Sequence, residues 1–134
     1  MNLKKLFLDY CEVNQQEINH NQLDVINNLK DYYKSNFNQT FISKILKNNN
    51  KLGYYLVGDV GVGKTMILNF FFNQIKEKKL RLHFNEFMIR FHDFIFQNKY
   101  KENGIELFVR DLKKKIKIIY FDEFQVTNIV DAMI

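Results

Sequence analysis

The chain has no proline, a single cysteine and only five glycines. Without proline, and without any Gly- or Ser-rich stretch, nothing in the sequence marks a linker between domains. One cysteine, Cys11, excludes an internal disulfide framework and suits a reducing compartment. No motif surrounds Cys11, so a catalytic thiol is not expected there. Long apolar runs are also missing. The opening M-N-L-K-K-L-F-L-D-Y breaks at Asp9, too soon for a signal-peptide core. No run approaches the roughly 20 residues of a membrane span. The expected location is the cytoplasm. Nor is the chain polar enough for disorder: 46% of its 134 residues are hydrophobic and 26% charged, which suffices for one modest core.

Charge of one sign is mildly in excess. Twenty Lys and Arg against 15 Asp and Glu give +5, with a pI near 9.2. That balance is compatible with a polyanionic ligand or nucleic acid, and equally with a lysine-rich solvated face. The lysines are dispersed, and the densest cluster, Lys113 to Lys115, stands just before an apolar β-type run.

Residues 1 to about 50 read as helical and polar, with Leu23, Ile26 and Leu29 on one face and Phe41, Ile42, Ile45 and Leu46 on another. Asn48 to Asn50 form a turn. Tyr54 to Val57 reads as a short buried strand. Lys64 to Lys79 reads as a helix, apolar on most sides through Met66, Ile67, Leu68, Phe70, Phe71, Phe72 and Ile75. A second strand is expected over Arg81 to Asn85. A helix follows through Phe87, Met88, Phe91, Phe94 and Ile95, and another from Ile105 to Leu112. Lys115 to Phe121 reads as a third strand. Helices, then strand-helix-strand-helix-helix-strand, predict an α/β fold with a mainly parallel sheet. The expected organisation is a helical segment over 1–50 and an α/β core over 51–134.

The few glycines are concentrated where chemistry needs them. Gly58-Asp59-Val60-Gly61-Val62-Gly63-Lys64-Thr65 fits G-x-x-x-x-G-K-[ST], the Walker A loop. Such a loop curls so that backbone N–H groups converge on phosphate oxygens, and glycine permits both the dihedrals and the close approach. The following helix, entered through Lys64, Thr65 and Met66, turns its positive end toward the same phosphates. Lys64 is placed to reach the β- and γ-phosphates, and Thr65 offers a hydroxyl to Mg²⁺. The run I-K-I-I-Y-F ends in Asp122-Glu123, the Walker B arrangement. Asp122 would hold the metal-water shell, and Glu123 would polarise an attacking water. No Asn-Lys-x-Asp pattern for guanine is present, so ATP is the expected nucleotide.

Three ordered blocks carry a resemblance. G-Y-Y-L-V-G-D-V-G-V-G-K-T-M (Gly53 to Met66), L-H-F-N-E-F-M-I-R-F-H (Leu82 to His92) and F-D-E-F-Q-V-T-N-I-V-D-A-M-I (Phe121 to Ile134) closely resemble blocks of the AFG1/ZapE-like ATPase family. That family contains bacterial cell division ATPases and mitochondrial quality-control ATPases. The first 50 residues resemble it loosely, through Gln22 and Leu29. Asn85 stands where the family usually has histidine, and Asn128 where it has aspartate. His83 and His92 match family positions and are expected to be packed and hydrogen-bonded.

The resemblance implies an AAA+-type P-loop NTPase, a three-layer sandwich that uses Mg-ATP. It also implies a protein partner, in the bacterial branch at the cell-division ring, and a homo-oligomeric ring for the full-length family. An AAA+ sheet has order 5-1-4-3-2, so the chain is expected to lack strands 4 and 5, the arginine finger and the helical lid. Two other readings stay open: a truncated, inactive remnant or nucleotide-binding fragment needing a partner, and a nucleic-acid-acting protein of the helicase-loader kind.

Overall fold

The computed structural model describes residues 2–37, 53–57 and 63–124. The chain divides into two compact units, residues 1–74 and 75–134, each taken here on its own terms. The boundary expected near residue 50, the set Phe41 to Leu46 and the turn at Asn48 to Asn50 lie outside the described residues, as does Asn128.

The first unit contains α1 (Leu3–Val13), α2 (His20–Phe37) and α3 (Lys64–Gln74). Asn2 caps α1, its side chain accepting from the Lys5 N–H at 3.2 Å. Leu3, Phe7 and Cys11 recur every four residues and all are fully buried. The helix stops where Asn14 Nδ2 donates to the Tyr10 carbonyl at 2.7 Å and Gln15 turns left-handed at φ 52°. A reciprocal capping box opens α2. The Asn19 N–H donates to Gln22 Oε1 at 3.2 Å, and the Gln22 N–H to Asn19 Oδ1 at 2.9 Å. Ile26 and Leu29 are buried on the same helix, with Leu23 half-buried beside them.

Helix α3 contributes Ile67, Phe70 and Phe71 to this core. The Phe70 ring meets Phe7 edge-on at 5.3 Å and Tyr10 at 5.2 Å. Such pairs add about 0.5–1.5 kcal/mol each beyond the area they bury. The amino-terminal segment, polar on average, thus supplies much of a hydrophobic core. The helix ends at Gln74 rather than Lys79, because Lys79 opens a strand.

Tyr54 to Val57 departs from expectation. It forms no strand: among the described residues the one sheet has two strands, neither of them here. Tyr55 and Val57 are exposed and Tyr54 and Leu56 half-buried, the alternation of a strand without a ladder. Tyr54 instead leans on Tyr32 of α2, ring centroids 6.3 Å apart.

The second unit contains β1 (Lys79–His83), α4 (Phe84–Gln97), α5 (Gly104–Lys115) and β2 (Ile118–Asp122). The strands pair in parallel, Lys79 opposite Ile118 through His83 opposite Asp122. Parallel pairing needs a crossover, and α4 and α5 are that crossover. Strand β1 sits two residues earlier than expected, so Asn85 lies in α4, not in the strand.

Phe84, Met88 and Phe91 form the core here, with Phe87, Ile95, Phe108 and Phe121 packed against them. Phe87 meets Phe121 at 4.8 Å, and Phe91 meets Phe108 at 5.1 Å. The fold is mixed helix with a small parallel sheet. The full five-stranded sandwich is not seen among the described residues.

Candidate functional site

Most of the expected Walker A loop, Gly58 to Val62, lies outside the described residues; its expected exit, Gly63, is described. Gly63 adopts φ +77°, and its carbonyl accepts the Ile67 N–H at 3.1 Å, which makes it the N-cap of α3. A left-handed N-cap calls for glycine here. Lys64, Thr65 and Met66 then occupy the first turn. Lys64 and Met66 are half-buried and Thr65 is exposed. Lys64 and Thr65 therefore stand in the first turn of a helix, where anions are favoured.

The neighbour of Gly63 is Gln22, 8% exposed and the one buried polar residue of the described core. A Cβ built on Gly63 would lie 3.0 Å from Gln22 Nε2. The capping box fixes the Gln22 carbonyl oxygen on Asn19, which leaves the amide nitrogen directed at the loop's last glycine. Sequence reading gave Gln22 no role at the loop. The pattern N-x-x-Q at residues 19 to 22 was the available signal.

The second unit holds the acidic pair. Parallel register puts Arg81 beside Tyr120 and His83 beside Asp122 on one sheet face, with Leu82 and Phe121 on the other. The apolar face contributes Phe121 to the phenylalanine core, and the polar face carries Arg81, His83, Tyr120 and Asp122. Arg81 grips Asp122 with a fork, Nε to Oδ2 at 2.7 Å and Nη2 to Oδ1 at 3.0 Å. The guanidinium also lies over the Tyr120 ring, 4.7 Å from its centroid.

The hydrogen bonds from Arg81 pull the Asp122 carboxyl below its usual range, outweighing the opposing effect of partial burial. Burial, with the Asp122 charge second, pushes the Tyr120 phenol up. Asp122 is thus an ionised carboxylate at the C-terminal end of a strand, where a parallel sheet presents ligand-binding groups.

Glu123 follows in the left-handed region at φ 49°, exposed, with its Oε2 3.9 Å from His83 Nδ1. Non-glycine residues seldom adopt that backbone, and such strain clusters at functional positions. His83 and His92 are both exposed rather than packed as expected. Cys11 is fully buried and its thiol is pushed up by desolvation, so it has no reactive character.

No group of three or more His, Cys, Asp or Glu among the described residues could cage a metal ion. No helix of the described residues is long and apolar enough to cross a membrane.

Comparison with known proteins gives the family. The family model of the AFG1-like ATPases matches residues 6–134. Cell division protein ZapE of Escherichia coli K12 is 36% identical over 83 residues, covering 61% of this chain and 22% of the relative. Lactation elevated protein 1 homolog B of Danio rerio is 36% identical over 94 residues, covering 61% of this chain and 19% of the relative. Uncharacterized protein C115.02c of Schizosaccharomyces pombe is 29% identical over 119 residues, covering 84% and 26%. The chain therefore spans roughly a quarter or less of these relatives. No solved structure matches it. With a family match running from residue 6 to the last residue, this chain belongs to the AFG1-like ATPase family.

Proposed function

We propose that the chain binds Mg-ATP through Gly58 to Met66 and Asp122, and that Glu123 serves hydrolysis to ADP and phosphate. The observation that carries the reading is the Gly63–Lys64–Thr65 junction: a left-handed glycine capping a helix whose first turn bears a lysine and a hydroxyl. Backbone N–H groups and Lys64 would bind and orient the phosphates. Thr65 and Asp122 would hold the Mg²⁺ shell. When bound, the metal neutralises charge on the β- and γ-phosphates. Exposed Glu123 accepts a proton from water.

The E. coli relative's name extends the proposal to a protein partner in cell division, and the family to a homo-oligomer. A second reading, nucleotide binding without turnover, is favoured by the grip of Arg81 on both oxygens of Asp122.

The test measures ATP binding with Mg²⁺ and phosphate release in the same samples of wild type, Lys64→Ala and Glu123→Gln. Binding lost in the first variant, with release alone lost in the second, supports an ATPase. Binding that survives Lys64→Ala refutes the phosphate site. Binding without release in the wild type selects the second reading.

A further inference from the structure

We propose that Arg81 is a latch on the metal position: it occupies the Asp122 carboxylate and must let go before a divalent cation can be held there. The inference rests on Asp122 being the metal-side carboxylate of the proposed site. It adds a competitor from within the chain.

The geometry is that of a closed fork. Both carboxylate oxygens already accept from one guanidinium, at 2.7 and 3.0 Å. Tyr120 lies on the same sheet face, its ring under the guanidinium at 4.7 Å. A carboxylate offers about four lone-pair sites, so little remains for the waters of a hydrated Mg²⁺. A guanidinium within hydrogen-bond distance also repels a dication approaching the same oxygens. Fork and metal shell are therefore competing occupants.

The latch can open. The Arg81 side chain is 37% exposed against 19% for Asp122, so the arginine rather than the carboxylate has room to move. Tyr120 provides a seat over which the guanidinium rests. The arrangement depends on register: Arg81 and Asp122 are one step offset on the same face of two parallel strands, Arg81 pairing with Tyr120 and His83 with Asp122. His83 Nδ1 stands 3.9 Å from Glu123 Oε2, both side chains exposed.

The probe is Mn²⁺ alone, added to the full chain without nucleotide. The readout is paramagnetic broadening of the backbone amide signals of residues 121 to 124. Exposed ion pairs of this kind bias an equilibrium modestly, so Arg81→Gln should lower the Mn²⁺ concentration for half-broadening roughly twofold to fivefold. Arg81→Lys, whose ammonium cannot fork both oxygens, should lower it by less. Asp122→Asn should remove the localised broadening in either background.

Equal midpoints in wild type and Arg81→Gln would overturn the latch. If that variant does not fold, equal midpoints in wild type and Arg81→Lys do so. A fluorescent ATP analogue titrated into the same samples separates the two proposals. If the Mn²⁺ order holds while the analogue binds no variant, the latch stands and the nucleotide reading falls.

Discussion

Replacing Gly63 by alanine tests the junction on which the site depends. Two costs can be worked from the structure. At φ +77°, an alanine is held in the left-handed region, about 1–2 kcal/mol above its preferred backbone. Its Cβ would also sit 3.0 Å from Gln22 Nε2, so the amide must move. Moving it loosens the Gln22 oxygen from the Asn19 N–H, half of the capping box of α2, at about 0.5–1 kcal/mol. The expected total is roughly 1.5–3 kcal/mol. Gln22→Ala alone should cost about 1 kcal/mol, since it removes the same half-box. In that background the clash is gone, and Gly63→Ala should cost only the backbone strain.

The cycle should therefore show about 1 kcal/mol of coupling between residues that are 41 positions apart in the chain. Native-state hydrogen exchange of the α2 and α3 amides is the suitable assay, because it reads opening within the first unit. Strictly additive costs would refute the contact between Gln22 and the loop. A neutral Gly63→Ala would refute the left-handed N-cap.

Glu123→Gly should raise stability by about 1 kcal/mol in urea denaturation, by releasing left-handed strain, while phosphate release falls to background. Phe91→Ala should cost about 3–5 kcal/mol, because Phe91 lies in the core of the second unit against Phe108 and has no solvent into which to relax. Arg81→Gln should cost less than about 1 kcal/mol near neutral pH, the pair being partly exposed. That difference has a definite pH sense. Asp122 titrates lower when folded than when unfolded, so the pair's contribution is present above the ordinary carboxylate pKa. Denaturation followed down in pH should therefore show wild type and variant converging as pH falls through the lowered value. Divergence toward acid would contradict the ion pair.

What could be read beforehand was what local chemistry dictates. Gly63 announces itself because few residues other than glycine suit a left-handed cap at a helix start. Helices α4 and α5 announce themselves because their apolar residues recur at helical spacing. The strand ends were less legible: β1 begins at Lys79 because β2 offers a partner there, a fact of pairing and not of propensity. Tyr54 to Val57 has strand composition yet no ladder, for the same reason. The fork from Arg81 to Asp122 joins residues 41 apart through a parallel register, and no single-sequence pattern specifies that register. Its one trace was alternation, L-R-L-H against I-Y-F-D, which puts arginine and aspartate on one face once the strands are known to pair. The amino-terminal helices looked polar because averages hide Leu3, Phe7 and Cys11, three core residues in an eleven-residue helix.

Cys11 gives the molecule a built-in clock. Its side chain is buried in the first unit, and the chain has no second thiol to confuse the signal. A thiol reagent can reach it only when that unit opens, so the labelling rate counts openings directly. If a nucleotide binds the first unit, the counting slows, because a ligand that favours the folded unit makes its openings rarer. One sulfur buried for packing thus becomes a timer for ligand binding to the first unit.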